Sequence, residues 1–221
     1  MKDLVVTIDG PAGAGKTTVS RQLAGRLGYR YVDTGALYRG VAHAAREKNI
    51  EPTDDDALSA LCDGLKLELV TSENGSRLIS GGVDITDKIR TPAITMLASA
   101  VSARPVVRRF LLGLQRRLGA EKRVVFEGRD MGTVVFPEAD VKFFLSADVA
   151  ERARRRFNEL PHEDGLTLEQ VEADIRRRDE NDSSRELAPL KPADDAIMVD
   201  STNHTPDEVV DFMVGHIEAK G

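Results

Sequence analysis

Short apolar runs alternate along the chain with longer segments in which apolar residues recur every three or four positions. The short runs are LVVTID, YRYVD, RVVFEG, VKFFLS and AIMVDS. Such compact runs are typical of strands buried on both faces of a parallel sheet, and the periodic segments are typical of the helices that cover it. The pattern therefore predicts an α/β fold with a five-stranded parallel sheet flanked by helices, in which ligands bind at the carboxyl ends of the strands.

Several predicted helices carry signals at their ends. Val19, Leu23 and Leu27 recur every four residues up to Gly28, which predicts a helix closed by a glycine cap. Pro105 suits the first turn of the helix predicted over PVVRRFLLGLQRRLG. Further helices are predicted over AITMLASAVSA and over TGALYRGVAHAAREKN, whose helical pattern LSALC continues.

Two later helices begin with a threonine that is followed three positions on by a side chain able to complete a capping box. Thr167 is followed by Gln170 in the segment LTLEQVEADIRRRDENDSSREL. Thr205 and Pro206 are followed by Glu208, which predicts the start of the last helix in the same way.

The segment from Leu65 to about Arg90 differs from the rest of the chain. KLELV alternates between polar and apolar residues, and Asn74-Gly75 is a strong hairpin signal. We expect one domain over residues 1–221, with a core at 1–64 and 94–221 and a small antiparallel insertion at 65–93.

Composition narrows the class of protein. The 221 residues are 41% hydrophobic and 31% charged, which is typical of a globular chain, and no stretch approaches the ~20 apolar residues of a membrane span. We therefore expect a cytoplasmic protein with no membrane partner. We also expect a monomer, although nothing in the composition settles the oligomeric state. A net charge of −6 and 5% aromatic residues argue against a nucleic-acid partner. Cys62 is predicted to be a core residue, and the scattered histidines predict no transition-metal site.

Residues 10 to 18, GPAGAGKTT, fill the pattern G-x-x-x-x-G-K-[ST] between a predicted strand and a predicted helix. Glycines in such a loop let backbone N–H groups point at phosphate oxygens, and the helix N-terminus adds a partial positive charge. Lys16 would reach the β- and γ-phosphates of ATP, and the Thr17 hydroxyl would bind Mg²⁺. The ATP-binding residues predicted here are Gly10, Pro11, Ala12, Gly13, Ala14, Gly15, Lys16, Thr17 and Thr18.

The loop alone does not distinguish a switch, a motor and a kinase. The chain has no N-K-x-D segment for reading guanine, which argues against a GTPase. A motor ATPase would have an apolar strand ending in Asp or Asp-Glu, whereas RVVFEGRD ends in an acid, a glycine and an arginine. Arg39 and Arg129 each follow a predicted strand, where a guanidinium could bind the phosphate of a second substrate.

Arginines also cluster late in the chain. Arg152, Arg155 and Arg156 share one face of a predicted helix, and Arg178 and Arg185 lie on or next to the following one. Residues 151–186 contain 8 arginines and no lysine, as bidentate phosphate recognition would favour. Since the same stretch holds 11 acids, solvated helix faces are the alternative. A mobile lid at about 152–166 that brings positive charge to the transferring phosphate fits this pattern.

Six segments together resemble the bacterial cytidylate kinases, in the same order and along nearly the whole chain. They are TIDGPAGAGKTT, VDTGALYR, DKIRTP, EGRDMGTVVFPEADVKFFLSA, RRRDENDSSRELAPL and AIMVDST. The resemblance implies a P-loop nucleoside monophosphate kinase fold, in which 65–93 is the insertion that binds the monophosphate. It implies transfer of the ATP γ-phosphoryl group to CMP or dCMP with Mg²⁺, in pyrimidine metabolism.

The resemblance also implies roles for individual residues. The implied CMP-binding residues are Thr34, Gly35, Tyr38, Arg39, Ser99, Arg108, Arg129, Asp130, Arg178, Asp182 and Arg185. Within that set Ser99, Arg108 and Asp130 would read the cytosine, and Arg178 and Asp182 would contact the ribose. The implied catalytic residues are Lys16, Arg129, Arg152, Arg155 and Arg156. Thr34 stands where the family commonly has Ser, and Glu127 where Asp is also common.

Two other classes of function stay open. A related P-loop kinase could use AMP, dTMP or shikimate as acceptor, and an acceptor screen distinguishes these. A nucleotide-binding switch would hydrolyse ATP slowly, without dependence on any acceptor.

Overall fold

The computed structural model describes residues 3–72, 75–159 and 167–219. The described residues form eight strands, in chain order β1 (Val5–Asp9), β2 (Arg30–Asp33), β3 (Leu67–Ser72), β4 (Gly75–Ser80), β5 (Val83–Asp84), β6 (Val124–Gly128), β7 (Val141–Ser146) and β8 (Ile197–Asp200). They also form eight α-helices, α1 (Lys16–Leu27), α2 (Thr34–Glu47), α3 (Asp55–Gly64), α4 (Pro92–Ser102), α5 (Pro105–Gly119), α6 (Val149–Glu159), α7 (Leu168–Ser184) and α8 (Pro206–Ala219).

The described strands form two sheets. The main sheet has five strands in the order β2-β6-β1-β7-β8, with β1 parallel to both β6 and β7 and β7 parallel to β8. The small sheet is antiparallel, in the order β3-β4-β5. The predicted fold class, a five-stranded parallel sheet with flanking helices and a small antiparallel sheet, is confirmed.

The chain divides into two compact units, Met1–Tyr29 with Arg123–Gly221, and Arg30–Lys122. In the first unit β1 lies between β6 and β7, and its Val6 and Ile8 side chains are fully buried. The helix that follows the loop, α1, ends as predicted at Gly28, whose φ of 65° is left-handed and whose N–H donates to the last carbonyl groups of the helix.

The second unit has its own core, built from one face of each of its helices and from the small sheet. Leu37, Leu58 and Leu111 are fully buried there, and Cys62 packs into the same core, as predicted. Burial raises the pKa of the Cys62 thiol to about 11. A Cβ atom on Gly40 would lie 2.7 Å from a Leu78 methyl group, so α2 approaches β4 closely at that glycine.

The helical pattern that continues from α2 into LSALC is interrupted in the structure. Asn49 has a left-handed φ of 52° just after α2 ends. The Asp54 side chain accepts a hydrogen bond of 3.0 Å from the Ala57 N–H and so begins a separate helix, α3. The interruption therefore has a local cause, a left-handed residue followed by a new cap.

The predicted caps of the later helices are confirmed. Thr167 and Gln170 form both hydrogen bonds of a capping box at α7. At α8 the Glu208 carboxylate accepts from the Thr205 N–H at 2.8 Å, and the Glu208 N–H donates to the Thr205 hydroxyl at 3.3 Å.

Some predictions fall partly outside the described residues. Asn74 of the predicted hairpin turn does so, although Ser72 and Gly75 pair across the two strands that the turn joins. Residues 160–166, which include the whole PHEDG loop of the predicted lid, also lie outside the described part. The bounds of the insertion (65–93) and of the lid (about 152–166) stay predictions. No described helix is long and apolar enough to cross a membrane.

Candidate active site

The predicted phosphate loop connects β1 to α1. Gly13 and Gly15 have left-handed φ angles of 76° and 87°. A Cβ atom on Gly10 would lie 2.0 Å from the Leu145 carbonyl oxygen, because the loop leaves β1 in close contact with β7. These glycines permit a tight turn into the amino end of α1, whose partial positive charge suits a phosphate.

Lys16, the first residue of α1, is buried. Its Nζ donates a hydrogen bond of 2.6 Å to the Pro11 carbonyl oxygen within the loop. Burial, with the positive charge of Arg129, lowers the pKa of Lys16 to about 7, and the Glu127 carboxylate opposes that effect. A phosphate bound in the loop would stabilise the charged ammonium group.

Thr17 lies next to a carboxylate of the neighbouring strand. Its hydroxyl donates a hydrogen bond of 2.9 Å to Glu127 Oε1, and Glu127 is buried near the end of β6. A hydroxyl and a carboxylate are oxygen donors of the kind that Mg²⁺ binds together with phosphate oxygens. The two side chains therefore fit a magnesium ion bound with ATP.

A π-helical turn, Met131–Val135, follows β6 and was not predicted from the sequence. The Asp9 carboxylate holds its beginning, since Oδ1 accepts from the Met131 N–H at 2.9 Å and Oδ2 from the Gly132 N–H at 2.8 Å. Burial raises the pKa of Asp9 to about 6, although the two amide hydrogen bonds lower it.

Arg129 and Asp130, between β6 and this turn, belong to an ion-pair network with α7. Arg129 Nε donates to Asp182 Oδ2 at 2.9 Å. Arg185 Nη1 lies 4.0 Å from Asp182 Oδ1, and Arg185 Nη2 lies 3.6 Å from Asp130 Oδ1. Burial alone would raise the pKa of Asp182, but Arg129 and Arg185 hold it below its usual value. Arg178 contributes to the same shift.

Arg152 points into the protein and fixes the phosphate loop. Its Nη1 donates to the Ala12 carbonyl oxygen at 2.9 Å and to Asp179 Oδ2 at 2.6 Å, while Nε donates to the Ala147 carbonyl oxygen at 2.9 Å. Asp179 Oδ1 in turn accepts from the Ala12 N–H at 3.3 Å. Arg152 and Asp179 thus hold both backbone polar groups of Ala12.

Arg155 and Arg156 have different surroundings, although they share a helix face with Arg152. Arg155 is tied to the segment after β8, where Nη1 donates to the Ser201 hydroxyl at 3.0 Å and Nη2 to the Ser201 carbonyl oxygen at 2.6 Å. The Ser201 hydroxyl also lies 3.1 Å from the Ala14 carbonyl oxygen of the phosphate loop. Arg156 forms one ion pair within the described residues, with the exposed Glu159 at 3.4 Å.

The second unit carries the remaining predicted acceptor residues on three of its helices, α2, α4 and α5. Arg39 Nη2 donates to Asp33 Oδ2 at 2.6 Å, and Asp33 Oδ1 caps α2 by accepting from the Ala36 N–H at 3.1 Å. A Cβ atom on Gly35 would lie 3.0 Å from both Arg39 and Asp33, so a glycine leaves room for this pair. Thr34, the first residue of α2, lies between Asp33 and Gly35 in the chain and is buried.

Tyr38 and Arg108 meet within the second unit. The Arg108 guanidinium lies 5.7 Å from the centre of the Tyr38 ring and donates to the Ser102 carbonyl oxygen at 3.1 Å. The Ser102 hydroxyl donates to the Ser99 carbonyl oxygen at 2.8 Å. Ser99, which is also predicted to read the base, is thereby connected to Arg108 and Tyr38.

Within the first unit the structure therefore brings together Lys16, Arg129, Asp130, Asp182 and Arg185, and within the second unit Tyr38, Arg108 and Ser99. Sequence reasoning missed the carboxylates that hold these groups, Asp9, Asp33 and Asp179. Asp9 and Asp33 each end a strand directly before a motif, which is a usable signal. Asp179 has none, because its partner Ala12 is remote in sequence.

The parallel sheet and the loop around Lys16 form a P-loop nucleotide-binding fold. The gluconokinase from Sinorhizobium meliloti 1021 has this fold, with a TM-score of 0.51 over 98% of this chain and 93% of that chain, at 15% identity.

Sequence comparison identifies the family. The family model for cytidylate kinase matches residues 6–219. Cytidylate kinase from Geobacter sulfurreducens is 53% identical over 213 residues, which cover 96% of this chain and 91% of the relative. Cytidylate kinase from Citrifermentans bemidjiense is 46% identical over 218 residues, covering 98% and 94%. The chain belongs to the cytidylate kinase family.

Proposed function

We propose that this protein transfers the γ-phosphoryl group of ATP to CMP or dCMP, giving ADP and CDP or dCDP. The observation that carries the proposal is the grouping, in one unit, of a phosphate loop with a buried lysine and a buried arginine–carboxylate network. The loop suits the donor, and the network suits a second, anionic substrate. A nucleotide-binding switch would need only the loop.

The donor side is assigned to the loop residues Gly10–Thr18. The backbone N–H groups and Lys16 would bind the phosphates of ATP, and Thr17, with Glu127 beside it, would hold Mg²⁺. When bound, the metal would neutralise charge on the β- and γ-phosphates. Lys16 is well suited to the same task because it is already buried and directed within the loop.

The acceptor side is assigned to both units. In the first unit Arg129 and Arg185 are assigned to the CMP phosphate, and in the second unit Thr34 and Arg39 have the same assignment. Gly35 and Tyr38 are assigned to CMP without a more specific role. Ser99, Arg108 and Asp130 would read the cytosine, whose exocyclic amine needs an acceptor such as the Asp130 carboxylate. Arg178 and Asp182 would contact the ribose. The ion pairs of Arg129 and Arg39 support this assignment, since each guanidinium is oriented by a carboxylate and keeps other N–H groups for a phosphate.

The reaction requires positioning more than acid–base chemistry. A CMP phosphate oxygen is already an anionic nucleophile, so it can attack the γ-phosphorus in line without a general base. Lys16, Arg129 and the arginines of α6 would stabilise the charge that spreads over the transferring phosphoryl group. Of Arg152, Arg155 and Arg156, Arg156 best suits a mobile role, because its one ion pair within the described residues is with an exposed glutamate of its own helix.

The test is turnover with a panel of acceptors. The purified protein is incubated with ATP, Mg²⁺ and CMP, dCMP, UMP, AMP, dTMP or shikimate in turn, and ADP and the phosphorylated product are measured together. We expect ADP and CDP or dCDP in equal amounts, and little product from the other acceptors. ADP formed at the same rate without any acceptor would refute the kinase proposal and favour the switch.

A further inference from the structure

Asp9 is a buried carboxylate at the junction of the two substrate segments, and the reaction above gives it no role. It ends β1 directly before the phosphate loop, and 5% of the residue is exposed. In the sheet it lies opposite Gly128, and Arg129 and Asp130 follow Gly128 in the chain. One side chain is thus adjacent to the donor loop and to the segment proposed to bind the acceptor.

Both carboxylate oxygens of Asp9 are used by the turn that follows this segment. Oδ1 accepts the Met131 N–H and Oδ2 accepts the Gly132 N–H, at 2.9 and 2.8 Å. A Cβ atom on Gly132 would lie 3.1 Å from both the Thr7 hydroxyl and the Lys142 side chain, so the turn is confined on its other side as well. The backbone directly after Arg129 and Asp130 is therefore fixed by Asp9.

Burial of the charged Asp9 carboxylate, considered without its hydrogen bonds, destabilises the folded state. Burial raises the pKa of Asp9, the nearby Asp130 raises it further, and Lys16 is the opposing charge. Asparagine has nearly the same shape and no charge, but it offers one acceptor oxygen where two N–H groups must be met. Two acceptors in one short side chain are what Asp9 supplies to the turn.

We propose that Asp9 is a positioning residue for the acceptor, which holds the turn after β6 so that Arg129 and Asp130 keep the orientation that binds CMP. The inference rests on the roles proposed above for Arg129 and Asp130. It requires that loss of the carboxylate weaken the use of CMP more than the use of ATP.

The test compares Asp9→Asn with Asp140→Asn in the full-length protein. Asp140 is a matched control because its carboxylate also accepts a backbone N–H of β1, from Val5 at 2.7 Å, at the opposite end of the strand. We expect Asp9→Asn to lower kcat/KM for CMP about tenfold or more, as small misplacements of binding groups do, with KM for ATP within about twofold of wild type. The Met131 and Gly132 amides should exchange hydrogen faster in Asp9→Asn, and Asp140→Asn should show neither effect.

Gly132→Ala perturbs the same contact without changing the carboxylate, and it decides the question if Asp9→Asn does not fold. The added methyl group would lie 3.1 Å from Thr7 and Lys142, closer than an ordinary contact, so the turn and these side chains must move apart by a few tenths of an ångström. We expect a selective loss for CMP in the same direction. If both variants have a lowered Tm but an unchanged KM and kcat for CMP, Asp9 is merely structural and the inference is wrong. Wild-type protein without CMP-dependent turnover would refute the proposed function instead.

Discussion

Replacing Arg152 by alanine should release the phosphate loop, although the sequence predicts a lid residue at that position. Arg152 donates to the Ala12 carbonyl oxygen and to Asp179, whose other oxygen accepts the Ala12 N–H. Without the guanidinium, Asp179 keeps its charge but loses its partner, and the Ala12 carbonyl group loses its donor. Ala12 then keeps the hydrogen bond from its N–H to Asp179, and the loop keeps the contacts of Lys16 with Pro11 and of Ser201 with Ala14.

The expected size of the effect follows from burial. Removing one partner of a buried ion pair costs about 3–5 kcal/mol. The side chains of Arg152 and Asp179 are 8% and 21% exposed, so water can compensate Asp179 in part and we expect the lower value. For a chain of this length, about 3 kcal/mol corresponds to a fall in Tm of roughly 6–12 °C.

The assay is urea unfolding followed by far-UV circular dichroism, because the chain contains no tryptophan. Arg152→Ala, Asp179→Ala and the double variant form a cycle, and we expect a coupling energy of about 1–3 kcal/mol. KM for ATP should rise in Arg152→Ala because the loop is less ordered. Arg156→Ala is the control, since its exposed contact with Glu159 should be worth less than about 0.5 kcal/mol.

Two results would refute this reasoning. One is a coupling energy between Arg152 and Asp179 below about 0.5 kcal/mol, within the usual error of additivity. The other is equal destabilisation by Arg152→Ala and Arg156→Ala, which would mean that the contacts to Ala12 add nothing to an ordinary surface pair.

Three further predictions concern single side chains. Lys16→Ala should lower kcat by on the order of 10²–10³ with an unchanged circular dichroism spectrum, and an unchanged kcat would contradict its catalytic role. Asp130→Ala should narrow the preference for CMP over UMP in kcat/KM, because the cytosine amine loses an acceptor; a constant ratio would remove Asp130 from base recognition. The pKa of Asp9 is raised from 3.8 to about 6, so the folded state binds more protons than the unfolded state between these values. Its contribution to the free energy of unfolding should therefore fall by roughly 3 kcal/mol as the pH rises from about 4 to 6, and unfolding of Asp9→Asn should lack this slope.

The elements that depend on local patterns could be predicted from the sequence. The glycine cap of α1 and the capping box of α7 need only neighbouring residues, and both are present. The main sheet followed from its apolar runs, which are buried on both faces in β1 and β6. The break between α2 and α3 was missed because helical periodicity continues across it while a left-handed Asn49 does not.

The contacts that orient the candidate site could not be predicted, because they join distant parts of the chain. Arg152, Arg155 and Arg156 share one helix face in the sequence pattern, yet Arg152 is buried against the loop and Arg155 is tied to Ser201. Helical spacing fixes the direction in which a side chain leaves its helix but not which element it meets. The roles of these arginines toward substrates stay predictions.

Chain order gives the molecule a sequence of assembly during its synthesis. Strand β1 is made first, but both of its neighbours, β6 and β7, follow the whole of the second unit in the chain. That unit is one continuous segment with a core of its own, so it can fold while the ribosome is still at work. At about 5–20 residues per second, roughly 6–24 s pass between the synthesis of Ile8 and the completion of β6. During that interval the apolar β1 segment has no strand to pair with. We expect this segment of the nascent chain to be the one that aggregates or binds a chaperone.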